Sequence, residues 1–127
     1  MSDVLLDSDI FIDHLRGYGP ARLYLKQFEA RESMGFITTL TVAEISACKL
    51  IAPEDETRVK RLLSIFDVTD LTVDIAWQAG EFKLRHGLRL ADAIVAATAI
   101  SRNLKLVTRN LNCFQSLDRL NVGKPYD

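Results

Sequence analysis

Residues 4–17 read VLLDSDIFIDHLRG. Val4, Leu5 and Leu6 make a short apolar run that stops at Asp7, the pattern of a strand buried on both faces. Beyond the acid, Ile10, Phe11 and Leu15 mark the apolar face of a short helix, and Gly17, Gly19 and Pro20 end it. A buried strand feeding directly into a helix is the opening of an α/β chain, and the same alternation continues downstream.

A second helix is expected to start at Pro20, since proline suits the first turn, and to carry Leu23, Tyr24 and Phe28 to about residue 30. Residues 35–38 read as a second strand, 41 to about 51 as a helix, and Pro53 opens another helix ending near residue 65. A strand is expected at 67–72, then a helix through Ile75, Ala79, Phe82 and Leu84 to Gly87. Residues 91 to about 102 form the clearest helix, with Ile94, Val95, Thr98 and Ile100 on one buried side. Lys105, Leu106 and Val107 form a last short strand, followed by a helical turn and an extended tail. Strands separated by helices imply a parallel sheet covered on both faces, an α/β fold in one domain over residues 1–127.

Composition narrows the class. With 127 residues, no low-complexity stretch and no Ser/Gly-rich linker, the chain has room for one real core. Two cysteines, Cys48 and Cys113, make neither a disulfide framework nor a zinc cluster. No apolar run is long enough to span a bilayer, and the first residues lack the basic and apolar regions of a signal peptide. A reduced, cytoplasmic setting with no membrane is the expectation. A net charge of −1 announces no nucleic-acid partner and excludes none, because local charge outweighs the total.

In a parallel sheet, ligands sit outside the C-terminal strand ends. Asp7 follows the first strand, with Asp9 two residues on and Asp13 a turn further. Glu44 lies in the first turn of the helix after strand two, Asp92 starts the clearest helix, and Thr108 and Asn110 follow the last strand. Four elements thus bring three carboxylates and one amide to one edge. Carboxylates at close quarters repel unless a hard cation lies between them, and Mg²⁺ takes oxygen ligands while keeping several waters. Such an ion activates water and stabilises a phosphoryl transition state, so a phosphate ester is the substrate class this chemistry favours.

Each acid also has a plainer reading. Asp7 or Asp92 alone reads as a helix cap, and Thr41-Val42-Ala43-Glu44 matches a capping box. Asp9 and Asp13 read as helix-start and solvent-facing groups. His14 and His86 are isolated, Cys48 reads as a packed helix thiol, and Trp77 as core or interface. Arg58, Lys60 and Arg61 read as a solvated helix face. Arg85, Arg89, Arg102 and Arg109 flank the acidic edge in sequence, where a phosphate contact is possible.

The blocks VLLDSDIFIDHLRG (4–17), TVAEI (41–45), LRLADAIVAATAI (88–100), LVTRN (106–110) and NVGKPY (121–126) together resemble a PIN domain, more narrowly the VapC-type toxin of bacterial toxin–antitoxin pairs. The resemblance implies a three-layer α/β/α fold with a central parallel sheet and metal-dependent endoribonuclease activity. It places the family's acidic positions on Asp7, Glu44 and Asp92, with Asn110 where many PIN domains carry aspartate. An amide brings no charge, which bears on a second metal. By the resemblance, Asp7 and Asp92 are the principal ligands of Mg²⁺ or Mn²⁺. Glu44 orients the attacking water, and Asn110 hydrogen-bonds a bound water or phosphate. A cognate antitoxin, an RNA substrate and a homodimer are the implied partners. Two other readings stand beside it. Asp7-Ser8-Asp9 resembles the opening of haloacid-dehalogenase-like phosphatases, and a PIN-like module could bind RNA or protein without cleaving.

Overall fold

Parallel strands β1 (Asp3–Leu6), β2 (Met34–Thr38), β3 (Asp67–Thr69), β4 (Lys105–Val107) and β5 (Val122–Gly123) carry the fold, in the spatial order β3-β2-β1-β4-β5. The computed structural model describes residues 3–49 and 51–127. Between the strands run α1 (Ser8–Leu15), α2 (Gly19–Glu29), α3 (Thr39–Ser46), α4 (Glu56–Leu63), α5 (Val73–His86) and α6 (Leu90–Ser101).

Side chains on a strand alternate between its faces, and β1 shows what that does here. Leu5 packs with Leu106 against Ile75, Ala79 and Phe82 of α5 and the alanines of α6. Its neighbours Val4 and Leu6 join Val107 and Ile37 on the opposite face, against Ile10, Phe11, Leu25, Phe28, Ile45 and Val59. Both faces of the sheet are therefore covered, giving three layers, α/β/α. Gly35 is needed for close approach. A Cβ there would lie 2.5 Å from a ring carbon of Phe66 and 2.9 Å from one of Phe28.

The sheet's order fixes where a ligand can sit. From β1 the chain steps to β2 on one side, and later to β4 on the other, with Leu6 paired to Val107. The crevice outside the C-terminal ends of β1 and β4 is thus the topological switch point.

Several expectations need correction. The expected helix 41–51 runs from Thr39 to Ser46, so Glu44 sits in the second turn rather than the first. Thr38 caps it, its Oγ1 accepting from the Thr41 N–H at 3.0 Å, which leaves no capping box for Thr41 and Glu44. Only Thr41 and Ile45 of this helix are buried, and tertiary packing rather than propensity sustains short helices. Leu50 lies outside the described residues, and half-buried Cys48 follows the helix rather than sitting in it. The strand expected at 67–72 is Asp67–Thr69. β5 falls where an extended tail is expected; two residues are too few to show periodicity. Leu84 does not face the core, being 84% exposed on α5; Trp77, 78% exposed on the same helix, is left with the interface half of its reading. Arg102 closes the far end of α6, away from the acidic edge.

Candidate active site

Asp7, Glu44, Asp92 and Asn110 line one cavity of about 170 Å³, together with Ser8, Asp9, Arg89, Ala91 and Val95. Each arrives by a different route. Asp7 follows β1 and caps α1, one carboxylate oxygen accepting from the Ser8 N–H at 2.8 Å. The cap reading of Asp7 is therefore correct, and it is also what aims the acid at the crevice. Asp92 lies in the first turn of α6 with no side-chain cap bond, so the cap reading does not account for it. Glu44 projects from α3, with Ser8 beside its carboxyl. Asn110 follows β4 and opens a short 3₁₀ turn, Leu111–Phe114.

Thr108 holds the edge together. Fully buried, its hydroxyl lies 2.9 Å from Asp7 Oδ2 and 3.1 Å from Asp9 Oδ2, and accepts from the Asn110 N–H at 3.2 Å. The Arg109 N–H donates to the same Asp9 oxygen at 3.0 Å. One hydroxyl thus ties β1's acid to the loop after β4. Thr108→Val keeps the shape and removes these bonds, leaving the Asn110 N–H without its acceptor and two carboxylates short of a donor. A loss of about 1–3 kcal/mol in denaturant unfolding is expected.

Asp9 and Asp13 differ from the sequence reading. Asp9 serves the loop, and its Oδ1 is buried with no partner among the described residues. Asp13 is 8% exposed rather than solvent-facing. It receives the Arg109 Nε at 2.7 Å and the Tyr126 hydroxyl at 2.5 Å. Nothing local in the sequence signals this tether.

Electrostatically the site is strained. Burial, with repulsion from Asp9 and Asp92, pushes the Asp7 carboxyl up to about 7 against the Thr108 and Ser8 hydrogen bonds. Burial also raises Asp9, Glu44 and Asp92, and Arg89 offsets part of it for Glu44 and Asp92. Arg89 is the sole basic residue among those lining the cavity. The N-termini of α1 and α6 add partial positive charge.

Such a set suits a divalent cation: crowded oxygen donors, one buried oxygen without a partner, and too little positive charge to balance them. Among the described residues no three His, Cys, Asp or Glu side chains stand ready to cage an ion alone. An ion here would be held as Mg²⁺ usually is, by one or two carboxylates and its own waters.

The remaining residues lie elsewhere. His14 lines a groove with Arg58 and Val59, and His86 Nδ1 meets Ser116 Oγ at 3.1 Å. Arg58 and Lys60 are exposed and pair with Asp55 and Glu56. Arg85 lines a groove on the outer face of α5. Nothing local in the sequence marks Ser8 or Thr108 as part of the site, although both adjoin residues that line it.

Comparison with known proteins gives the setting for this geometry. The PIN domain family matches residues 4–120. Ribonuclease VapC10 of Mycobacterium tuberculosis is 34% identical, the match covering 92% of this chain and 90% of that protein. A toxin–antitoxin complex from Klebsiella pneumoniae has a chain 31% identical, with a TM-score of 0.79 and 98% of both chains covered. DNA-bound VapBC from Salmonella typhimurium matches at 25% identity with a TM-score of 0.79, covering 98% of this chain and 99% of that one.

Proposed function

The chain belongs to the PIN-domain family, and from that premise we propose that it is the endoribonuclease toxin of a toxin–antitoxin pair. Residues 1–127 make one catalytic domain that hydrolyses RNA phosphodiesters with a divalent cation, in the cytoplasm. The observation that carries the reading is the convergence of Asp7, Glu44, Asp92 and Asn110 on one cavity at the switch point of the sheet. Among the described residues no helix is long and apolar enough to cross a membrane.

Asp7 and Asp92 are the residues to hold Mg²⁺ or Mn²⁺, both of which accept oxygen ligands in octahedral geometry. When bound, the cation lowers the pKa of water and offsets charge building on the phosphoryl oxygens. Glu44, raised by burial, orients the attacking water and takes its proton. Asn110 donates its amide N–H to a phosphate oxygen. Arg89, at the start of α6, opposes the acids and meets the incoming phosphate. Thr108 and Ser8 fix the carboxylates before substrate arrives. The raised carboxylates also explain how a partner silences the site, since a basic antitoxin side chain entering the cavity would satisfy the same charge. Family membership sets aside the phosphatase reading of Asp7.

Purified chain with a labelled RNA and Mg²⁺ should cleave, stop when EDTA removes the cation, and resume when it is restored. Cleavage indifferent to EDTA would remove the metal from the account. RNA binding without cleavage in any metal would favour the non-catalytic module.

A second copy of the chain is the proposed cover for the outer face of α5. Val73, Trp77 and Leu84 recur along it, 74%, 78% and 84% exposed. All three line one groove, and exposed large apolar side chains grouped in this way mark an interface. Trp77→Glu is expected to shift the species measured by light scattering from dimer to monomer, and an unchanged dimer would place the interface elsewhere.

A further inference from the structure

Beside the acidic cavity lies a second cleft, of about 340 Å³, lined by Asp13, Tyr18, Arg109, Lys124, Tyr126 and Asp127. We propose that it is a subsite for the RNA strand next to the scissile bond, in which Arg109 and Lys124 take a backbone phosphate and Tyr18 stacks on a base. The assignment rests on the nuclease reading and extends it to a place the four acidic-edge residues do not reach.

Electrostatics demands such a place. A chain of net charge −1 whose cavity carries Asp7, Asp9, Glu44 and Asp92 repels a polyanion, so positive footholds must be local. Arg109 supplies one already oriented. Its Nε is fixed on the buried Asp13, which the Tyr126 hydroxyl also holds. Among the described residues its Nη groups have no protein partner, and the side chain is 46% exposed at the cleft. A guanidinium held in this way loses little freedom on meeting phosphate. Tyr18 is 44% exposed, with its ring in edge contact with Tyr126 at 5.4 Å. Cations interleaved with an exposed aromatic are what single-stranded nucleic acid binds. Asp127 stands on the rim, so a lone phosphate gains little here and recognition needs phosphate and base together.

The two sites are continuous. Arg109 is flanked by Thr108, bonded to Asp7, and by Asn110, which lines the cavity. Asp9 in the cavity and Asp13 in the cleft lie one turn apart on α1, about 6 Å along its axis. That offset is on the scale of one step along an extended RNA strand.

The test measures binding of a short, 5′-fluorescein-labelled, mixed-sequence single-stranded RNA by anisotropy, across a salt series, in an Asp92→Asn background. Arg109 is left alone, because its removal strands Asp13 in the interior. Tyr18→Ala is expected to weaken binding by about 5-fold or more, with Tyr18→Phe restoring it. Lys124→Ala should lower the slope of log affinity against log salt by about 0.7, the share of one phosphate contact on a single strand. Inorganic phosphate should not compete at comparable concentration. Parent-like affinity and slope in both alanine variants, or no RNA binding by the parent, would overturn the subsite. Wild type is assayed for cleavage in parallel. Failure to cleave any RNA would count against the nuclease reading alone, because the binding comparison decides the subsite separately.

Discussion

Asp92→Asn is expected to reduce RNA cleavage by on the order of 10²-fold or more while the chain keeps its fold. The asymmetry comes from where Asp92 stands. It lies in the first turn of α6, capping nothing, half-buried, its carboxyl raised by burial and partly relieved by Arg89. Asparagine preserves its volume and removes only the charge that a cation needs. Far-UV circular dichroism should match wild type, and the unfolding midpoint should be no lower. A variant that is folded and cleaves at the wild-type rate would remove Asp92 from the site and, with it, the reason for four elements to converge there. Asp7→Asn should show the same loss of cleavage, with a further effect on stability.

That further effect is the second large expectation: the metal-free protein loses stability as pH rises from about 4 to about 7, and Asp7→Asn loses much less. The folded-state pKa of Asp7 lies near 7, against an ordinary 3.8. Between those values the folded chain keeps a proton that the unfolded chain has released, so stability is highest below the unfolded pKa and falls as pH climbs. A shift of this size corresponds to an upper bound on the order of 4 kcal/mol. Asp9, Glu44 and Asp92 are raised too and act in the same direction. Asparagine in place of Asp7 can still accept from the Ser8 N–H and offer its amide to Thr108, so the variant should be the more stable protein at neutral pH without metal. A divalent cation held by these acids would bind only the ionised site, so added Mg²⁺ should raise the wild-type midpoint at pH 7.5 and not that of the variant. Equal pH profiles in the two proteins would show that Asp7 carries no such burden.

Much of this arrangement is visible in the chain before it folds, and what escapes does so for physical reasons. Val4–Leu6 running into Asp7, the alanine-rich helix after Leu90, and the Lys105–Val107 strand are local patterns, each settled within a few residues. The acidic edge follows, because strand ends in a parallel sheet share one side. The Asp13–Tyr126 bond joins residues 113 apart, and no periodicity reports a partner at that range. An isolated aspartate on a helix therefore reads as solvated although it is buried. Thr38 was missed as a cap because it also ends β2, and strand and cap signals fall on one residue. β5 has two residues and is held by Leu106 and Val107 on β4, so its identity belongs to the pairing rather than to its own composition. Trp77 illustrates the reverse: an aromatic on a helix suits core or interface, and only the packed face of α5 decides which side it takes.

Whether these carboxylates cut RNA is read most plainly from a map of cellular RNA 5′ ends after induction of wild type and of Asp92→Asn at matched levels. New ends, at defined positions, are expected with wild type alone. Matching end profiles, with both proteins folded and expressed, would contradict the nuclease reading and leave a PIN domain that binds without cleaving.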